Sequence, residues 1–431
     1  MDIELVTIGD ELLLGFTIDT NAAHLARELA AIGVRIARRS TVGDEPPIIA
    51  NAVQEAINRT GAVITTGGLG PTADDRTKPV IGALFDRTMV LDEAILAALE
   101  ARWLKRFGVA LPTSNRQQAM VPSDCTILDN KHGSAPGIWL EDDQQRWVAM
   151  LPGVPREMRG MLADTLLPRV RARLEAQSNG SAQNVVRSRT LRTANIAESA
   201  LADRLGELAG GVNGLSLAFL PGLDGVDLRV TIGGVPAHEA DAKLDEVARL
   251  IRAKVASFIY GEGTDDMAAI VLALCAERKS TMAVAESCTG GLLGSRITAI
   301  PGSSAVFQGG VIAYHNDVKI RDLGVPVHTL NNFGAVSEET ARAMATGVRA
   351  KFGTNIGIGI TGVAGPDGGT LEKPVGTVWV ALDIDGQVQA VRAPMPGDRN
   401  EMRYRSTQLA FDRIRRAFLG LRSSAGWTAD D

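Results

Sequence analysis

Cysteine is scarce in this chain of 431 residues: there are three, Cys125, Cys275 and Cys288. An odd number, widely scattered and with no CxxC pair, argues against a disulfide framework or a zinc knuckle and fits a reducing cytoplasm. Positive charge is not in excess: 45 Lys and Arg stand against 50 Asp and Glu, a formal net charge of −5. The chain as a whole is therefore no polyanion binder, and direct nucleic-acid binding is not expected. No apolar run is long enough to span a bilayer, so no membrane association is expected. The N-terminal MDIELVTIGDE has no basic segment and no apolar signal core, and the chain reads as cytoplasmic. No short-period repeat is present.

What is there is glycine, 46 residues of it, with 45% hydrophobic residues, a composition that suits an α/β protein with many strand-to-helix turns. The length implies two or three domains. The pattern separates into blocks at 1–174, 185–262 and 266–422, with the polar stretch EAQSNGSAQN (175–184) as a linker and a loose tail SSAGWTADD. The first block alternates strand IELVTIG, helix NAAHLARELAAIG, strand RIARRSTV, helix PIIANAVQEAINR and strand AVITTGG. That is the βαβ pattern of a mainly parallel sheet with helices on both faces. The middle block reads as a small α+β unit, with a helix beginning near Asn195. The third is a second α/β layer ending in the helix EMRYRSTQLAFDRIRRAFLGL. The expected fold class is thus two α/β domains with mainly parallel sheets joined by a small α+β domain.

In the first block, TGGLGPTADDRT (66–77) follows a strand and precedes a helix. Its backbone amides at Gly67, Gly68 and Gly70, with Thr77 at the helix start, form an expected anion pocket. Asp74 and Asp75 add carboxylates at its edge, which makes sense if a divalent cation bridges them to a phosphate; the plain alternative is that one of them caps the helix. Three further stretches place Gly, Pro and polar residues where strands should end: GDELLLGFTIDTN (9–21), GSAPGIWL (133–140) and LPGVPREM (151–158).

IGDELLLGFTIDTN, GGLGPTADDRT and LPGVPREM resemble the N-terminal half of the CinA family (competence/damage-inducible protein A), itself similar to the MogA-like molybdopterin-binding domain. The resemblance maps the relatives' two aspartates onto Asp75 and Asp44. Where their pattern carries arginine this chain has Asp74, and a second acidic residue suits a metal-bound diphosphate better than a bare anion. It implies a nucleotide site with a divalent metal at Asp75 and Asp74, and ADP-ribose pyrophosphatase activity. The middle block resembles the KH-like domain of the same family. Its candidate GxxG loops, GGVNG (210–214) and PGLDGVD (221–227), are neutral or acidic, so a spacer or dimerisation role is expected rather than RNA binding.

In the third block, AESCTGG (285–291) sits between a strand and a helix. Ser287, Thr289 and Gly290 therefore lie at a helix N-terminus, a natural anion site. Cys288 beside them reads as a small buried residue rather than a nucleophile. In GSSAVFQGGVIAYHNDVK (302–319), Ser304 opens a turn, Tyr314 ends a strand, Asn316 is a good N-cap and Lys319 lies in the first helical turn. On spacing alone a serine and a lysine so placed are more often a cap and a solvated charge. The long glycine-rich loop in ITGVAGPDGGTLEKPVGTVWVAL (360–382), with Gly362, Gly365, Gly368 and Gly369, adds amides that could hold an oxyanion or a phosphate. Arg399, with Asp398 as its cap, adds a phosphate-type arginine. Together these form a hydrolase constellation.

AESCTGG, GSSAVFQGGVIAYHNDVK, HTLNNFGAVSEETA and GITGVAGPDGG resemble the CinA C-terminal domain, the nicotinamide-nucleotide amidase. The resemblance implies deamidation of nicotinamide mononucleotide (NMN) to nicotinate mononucleotide and ammonia without a cofactor. It assigns Ser304 as nucleophile, Tyr314 and Lys319 as its activating pair, and Arg399 to substrate binding. The expected partners are nucleotide substrates, NMN and ADP-ribose, with a homodimer as the default assembly. The competing reading is a non-catalytic pterin- or nucleotide-binding CinA-like protein linked to competence or DNA damage.

Overall fold

The computed structural model describes residues 1–72, 74–178 and 184–421. The expected linker is helical as far as Ser178 and becomes strand at Asn184; residues 179–183 between them, and the expected loose tail, lie outside the described residues. The chain divides into two compact units: Met1–Arg187 with Ile232–Asp241, and Ser188–Thr231 with the chain from Ala242 onward.

The first unit holds β1 (Asp2–Ile8), β2 (Arg35–Val42), β3 (Ala62–Thr66), β4 (Met89–Leu91), β5 (Met120–Pro122), β6 (Thr126–Leu128), β7 (Gly137–Glu141) and β8 (Trp147–Leu151). Six of these make one sheet in the order β2-β1-β3-β8-β7-β6. The first four are parallel, and β7 and β6 continue it antiparallel. Alternate residues of a strand face opposite sides, so a strand buried on both faces reads as a continuous apolar run. Ile3 and Leu5 of β1 enter the core that contains Leu25 and Leu29 of helix Thr20–Ala31. Val6 and Ile8 enter the core of helix Pro46–Thr60, with Ile49, Val53 and Ile57. The two helices thus cover opposite faces. Because β2 and β3 lie on opposite sides of β1, the sheet reverses its winding between β1 and β3, and such a switch point opens a crevice at the carboxyl ends.

A second, four-stranded sheet has the order β10-β11-β9-β12, from β9 (Asn184–Thr193), β10 (Leu217–Pro221), β11 (Val226–Pro236) and β12 (Ile259–Glu262). Helices Glu198–Leu205 and Ala237–Val255 accompany it. The first of these starts at Glu198, not near Asn195 as the sequence leads one to expect. Asn195 has φ of +53° and turns its amide to Asp412, 2.9 Å away, instead of capping the helix.

The C-terminal sheet runs β14-β13-β15-β16-β17, from β13 (Met282–Glu286), β14 (Phe307–Ile312), β15 (Ile356–Gly362), β16 (Thr377–Ile384) and β17 (Gln387–Pro394). β14, β13 and β15 are parallel; β16 and β17 are antiparallel. In β15 the alternation IGIGITG has a direct purpose. Ile356, Ile358 and Ile360 fill one core, while a Cβ on Gly357 or Gly359 would stand 2.1 or 2.4 Å from a carbonyl oxygen of helix Glu338–Phe352. Glycine lets that helix lie directly on the sheet. A second switch point falls between β13 and β15.

Candidate functional site

Ser287 follows β13 directly, at that switch point. Its N–H donates to the Ile360 carbonyl of β15 at 2.9 Å. Lys319 comes from helix Asn316–Leu323, which follows β14, the neighbour of β13. Its side chain is 1% exposed, and Nζ contacts Ala313 O at 2.6 Å, Ser287 Oγ at 3.1 Å and Tyr314 O at 3.3 Å. Burial lowers the Lys319 pKa from its usual value. The helix is capped by the His315 ring, not by Asn316 as expected.

The expected trio is therefore rearranged. Ser304 is exposed in the short turn Ser303–Ala305, and it is not among the hydrogen-bond partners of Lys319 in the described residues. The hydroxyl beside the lysine is Ser287. Tyr314 contributes its carbonyl to Lys319, while its exposed ring points its hydroxyl to Arg399. Arg399 opens the last helix, Arg399–Phe418, with Asp398 forming a capping box with Glu401. It donates to Tyr314 Oη at 2.8 Å and to Gly365 O at 2.6 Å, tying the glycine-rich loop to the site. Gly362 ends β15 close to Cys288 Sγ, whereas Gly368 and Gly369 are exposed in the outer part of the loop. Cys288 is 7% exposed and burial pushes its thiol up to about 12, which keeps it a thiol.

The helix start after Ser287 departs from the anion site expected of it. Glu286, itself 1% exposed, accepts from the N–H groups of Gly291, Leu293 and Gly294. Thr289 is fully buried, its hydroxyl has no partner among the described residues, and its carbonyl accepts twice from Arg403. The sequence signal for Glu286 is a carboxylate immediately before the serine, at the end of a buried strand.

The first unit has its own cleft, about 490 Å³ in volume, at the carboxyl ends of β1, β3 and β8. Gly67, Gly68, Gly70, Asp44, Asp74 and Asp75 line it, and all three further stretches singled out in the sequence reach it. Thr77 lies beneath, its hydroxyl donating to Gly67 O at 3.0 Å. Asp75 accepts from the N–H and hydroxyl of Thr72, and Asp44 accepts from the Asp10 N–H. The hydrogen bond from Thr72 also holds the Asp74 carboxyl below its usual pKa. Neither aspartate caps helix Thr77–Leu84, whose N-cap Arg76 makes no side-chain cap bond. Among the described residues, no group of three or more His, Cys, Asp or Glu side chains is arranged to hold a metal ion. Two further polar residues line this cleft, Asn21 at the end of the first of those stretches and Gln118, which lies outside all three. Asn21 and Gln118 are 7% and 4% exposed, each with an amide oxygen unpartnered among the described residues. Lys78 lies buried nearby, donating to the carbonyls of Gln117 and Gln118.

The PGLDGVD loop of the middle block is committed to packing. Asp224 accepts from Arg192 and from Tyr404 of the last helix, and its carbonyl accepts from Gln408. Among the described residues no helix is long and apolar enough to cross a membrane.

Two α/β layers, each with a glycine turn at a switch point, and a buried Ser–Lys contact in the second define a multidomain α/β protein. The family model "CinA C-terminal domain" matches residues 264–418, "Probable molybdopterin binding domain" matches 4–172, and "Damage-inducible protein CinA KH domain" matches 188–261. A CinA-like protein of Gemmatimonas aurantiaca is 68% identical over 100% of both chains. A putative competence-damage inducible protein of Halothermothrix orenii is 41% identical over 95% of this chain and 96% of its own. Among solved structures, the competence/damage inducible protein CihA of Agrobacterium tumefaciens is 37% identical, covering 36% of this chain and 93% of its own, with a TM-score of 0.35. The chain belongs to the CinA family.

Proposed function

We propose that the C-terminal layer hydrolyses the carboxamide of NMN to nicotinate mononucleotide and ammonia, with Ser287 as nucleophile and Lys319 as its base. The observation that carries this is the 3.1 Å contact between Lys319 Nζ and Ser287 Oγ inside a buried site. Two of the three Nζ partners are carbonyls, which can only accept. In neutral Lys319 both N–H bonds go to Ala313 O and Tyr314 O, and the lone pair is left for the Ser287 hydroxyl to donate into. Burial, which disfavours the ammonium, favours that arrangement. The substrate is the one implied by the resemblance of the C-terminal motifs.

Ser287 Oγ bonds to the carboxamide carbon as its proton passes to Lys319. No backbone carbonyl among the described residues takes the Cys288 or Thr289 N–H, and we assign these amides to the developing oxyanion. The C–N bond breaks as Lys319 returns the proton to the leaving nitrogen, which departs as ammonia. Water, deprotonated by Lys319, then cleaves the acyl-serine to the carboxylate and restores the hydroxyl. The test is ammonia release from NMN by wild type, Ser287→Ala and Ser304→Ala. Loss in Ser287→Ala with retention in Ser304→Ala is expected. The reverse pattern would return the nucleophile to Ser304, and no release from folded wild type would remove the amidase reading.

The N-terminal cleft supports a second reading, a nucleotide diphosphate held by the amides from Gly68 to Gly70; the Gly67 N–H, expected to share in this, is instead taken by the Leu151 carbonyl at 3.1 Å. Asp74 and Asp75 fit a divalent cation only as one or two carboxylates whose shell the phosphates complete. Metal-dependent cleavage of ADP-ribose that is lost in Asp75→Ala is the expected result; binding of ADP-ribose without turnover would favour a non-catalytic role.

A further inference from the structure

Every helix begins with N–H groups that have no partner within it, and this positive end attracts anions. At helix Leu292–Thr298 the partner is already in place. Glu286 Oε2 accepts from Gly291 and Leu293, both at 3.0 Å, and Oε1 accepts from Gly294 at 2.8 Å. Three charge-assisted bonds to one buried carboxylate make a stiff joint. Gly291, at φ of +93°, supplies the left-handed turn that folds these amides back toward it.

Glu286 shares a peptide with Ser287. Its carbonyl accepts from the Ala313 N–H at 2.7 Å, and the Ser287 N–H is held by Ile360. On the far side of the turn, Arg403 donates to the Thr289 carbonyl at 2.9 and 3.1 Å. The segment Ser287–Gly291 is thus pinned by its neighbouring strands, by a carboxylate at its exit and by a guanidinium on its back.

We propose that Glu286 is a positioning residue for Ser287: its carboxylate stands where a bound anion would otherwise sit, fixes the turn, and so holds Oγ at Lys319. This rests on the amidase reading for its kinetic consequence only. A corollary is that the phosphate of the substrate is received elsewhere than at this helix start.

The carboxylate cannot be replaced by an amide without loss. In Glu286→Gln one oxygen becomes an NH2 group facing backbone N–H donors. Misplacing a nucleophile by about 1 Å costs on the order of 100-fold in rate. At a temperature where circular dichroism shows Glu286→Gln folded, kcat for NMN is expected to fall by roughly 10- to 100-fold with KM within about threefold. An unchanged kcat, or a loss confined to KM, would overturn the proposal. The second measurement uses the wild-type chain and no reaction: amide hydrogen exchange at Gly291, Leu293 and Gly294, read by NMR with and without inorganic phosphate. Slow exchange that phosphate leaves unchanged is expected. Fast exchange that phosphate slows would show an open anion site and sink the proposal. This measurement decides even if Glu286→Gln does not fold, or if wild type proves to lack amidase activity.

Discussion

The Arg399 guanidinium bridges Tyr314 and Gly365, donating to the tyrosine hydroxyl at 2.8 Å and to the glycine carbonyl at 2.6 Å. One side chain thereby joins the strand end after β14 to the loop after β15. The Tyr314 hydroxyl is turned toward Arg399, and only the Tyr314 carbonyl reaches Lys319. Tyr314→Phe should therefore keep kcat within about tenfold, since it removes one exposed hydrogen bond. Arg399→Met, which frees the loop and removes the cation, should raise KM for NMN by roughly 10- to 100-fold. Steady-state kinetics on both variants distinguish this bridge from a proton relay through the tyrosine, which would make Tyr314→Phe nearly inactive.

Lys319 sets the pH profile. Burial lowers its pKa, and only the neutral amine can accept the serine proton. kcat/KM should rise about tenfold per pH unit below that pKa and level off above it. Lys319→Met should lower kcat by roughly 1,000-fold or more. The stability consequence has the opposite sense from a salt bridge. With a depressed folded pKa, the native state carries the cost of a buried ammonium at low pH, and that cost is relieved as pH rises toward the unfolded value of 10.5. Wild type should therefore gain stability over Lys319→Met as pH rises through that window, a trend that denaturant titrations at several pH values would read.

Lys78 gives the same sign in the first unit. It is 3% exposed, and burial brings its pKa down from 10.5 to about 8. Such a drop corresponds to about 3 kcal/mol. The first unit should gain up to that much stability between pH 8 and 10.5, and Lys78→Met should flatten the slope. Hydrogen exchange of the β1 and β3 amides as a function of pH is the measurement.

Asp412 is 1% exposed, between Arg415 and Arg416 of its own helix, and also receives the Asn195 amide. Asp412→Ala leaves two buried guanidinium groups without their carboxylate and should destabilise by about 3–5 kcal/mol, whereas Asn195→Ala should cost about 1 kcal/mol. Chemical denaturation monitored by circular dichroism compares the two. Equal small losses would mean that the arginines find other acceptors.

Much of the fold is written in short-range pattern. The apolar run of β1, the glycine alternation of β15, the switch of period between strands and helices, and the Asp398 cap are local features, and each stands in the structure where the sequence places it. The glycine turns after β3 and β13 are equally local, because a chain that leaves a buried strand for a helix needs residues free to take left-handed backbone angles. The stretches that line the first cleft were legible for the same reason.

Which hydroxyl meets Lys319 was not. Ser304 and Lys319 are near in sequence, and Ser287 lies 32 residues from the lysine; but β14 lies parallel beside β13, and that pairing carries the helix after β14 over the turn after β13. The last helix makes the same point. RNEMRYRSTQLAFDRIRRAF is rich in arginine, and Arg415 and Arg416 are 2% and 3% exposed. Asp412 and the carbonyls of Ser257 and Ile259 accept hydrogen bonds from their N–H groups. The sequence by itself determined the strands, helices and glycine turns, because those follow from side-chain period and backbone freedom. Only the tertiary structure decided which polar groups are buried together, because burial of a charge depends on partners that strand order, not sequence distance, brings within reach.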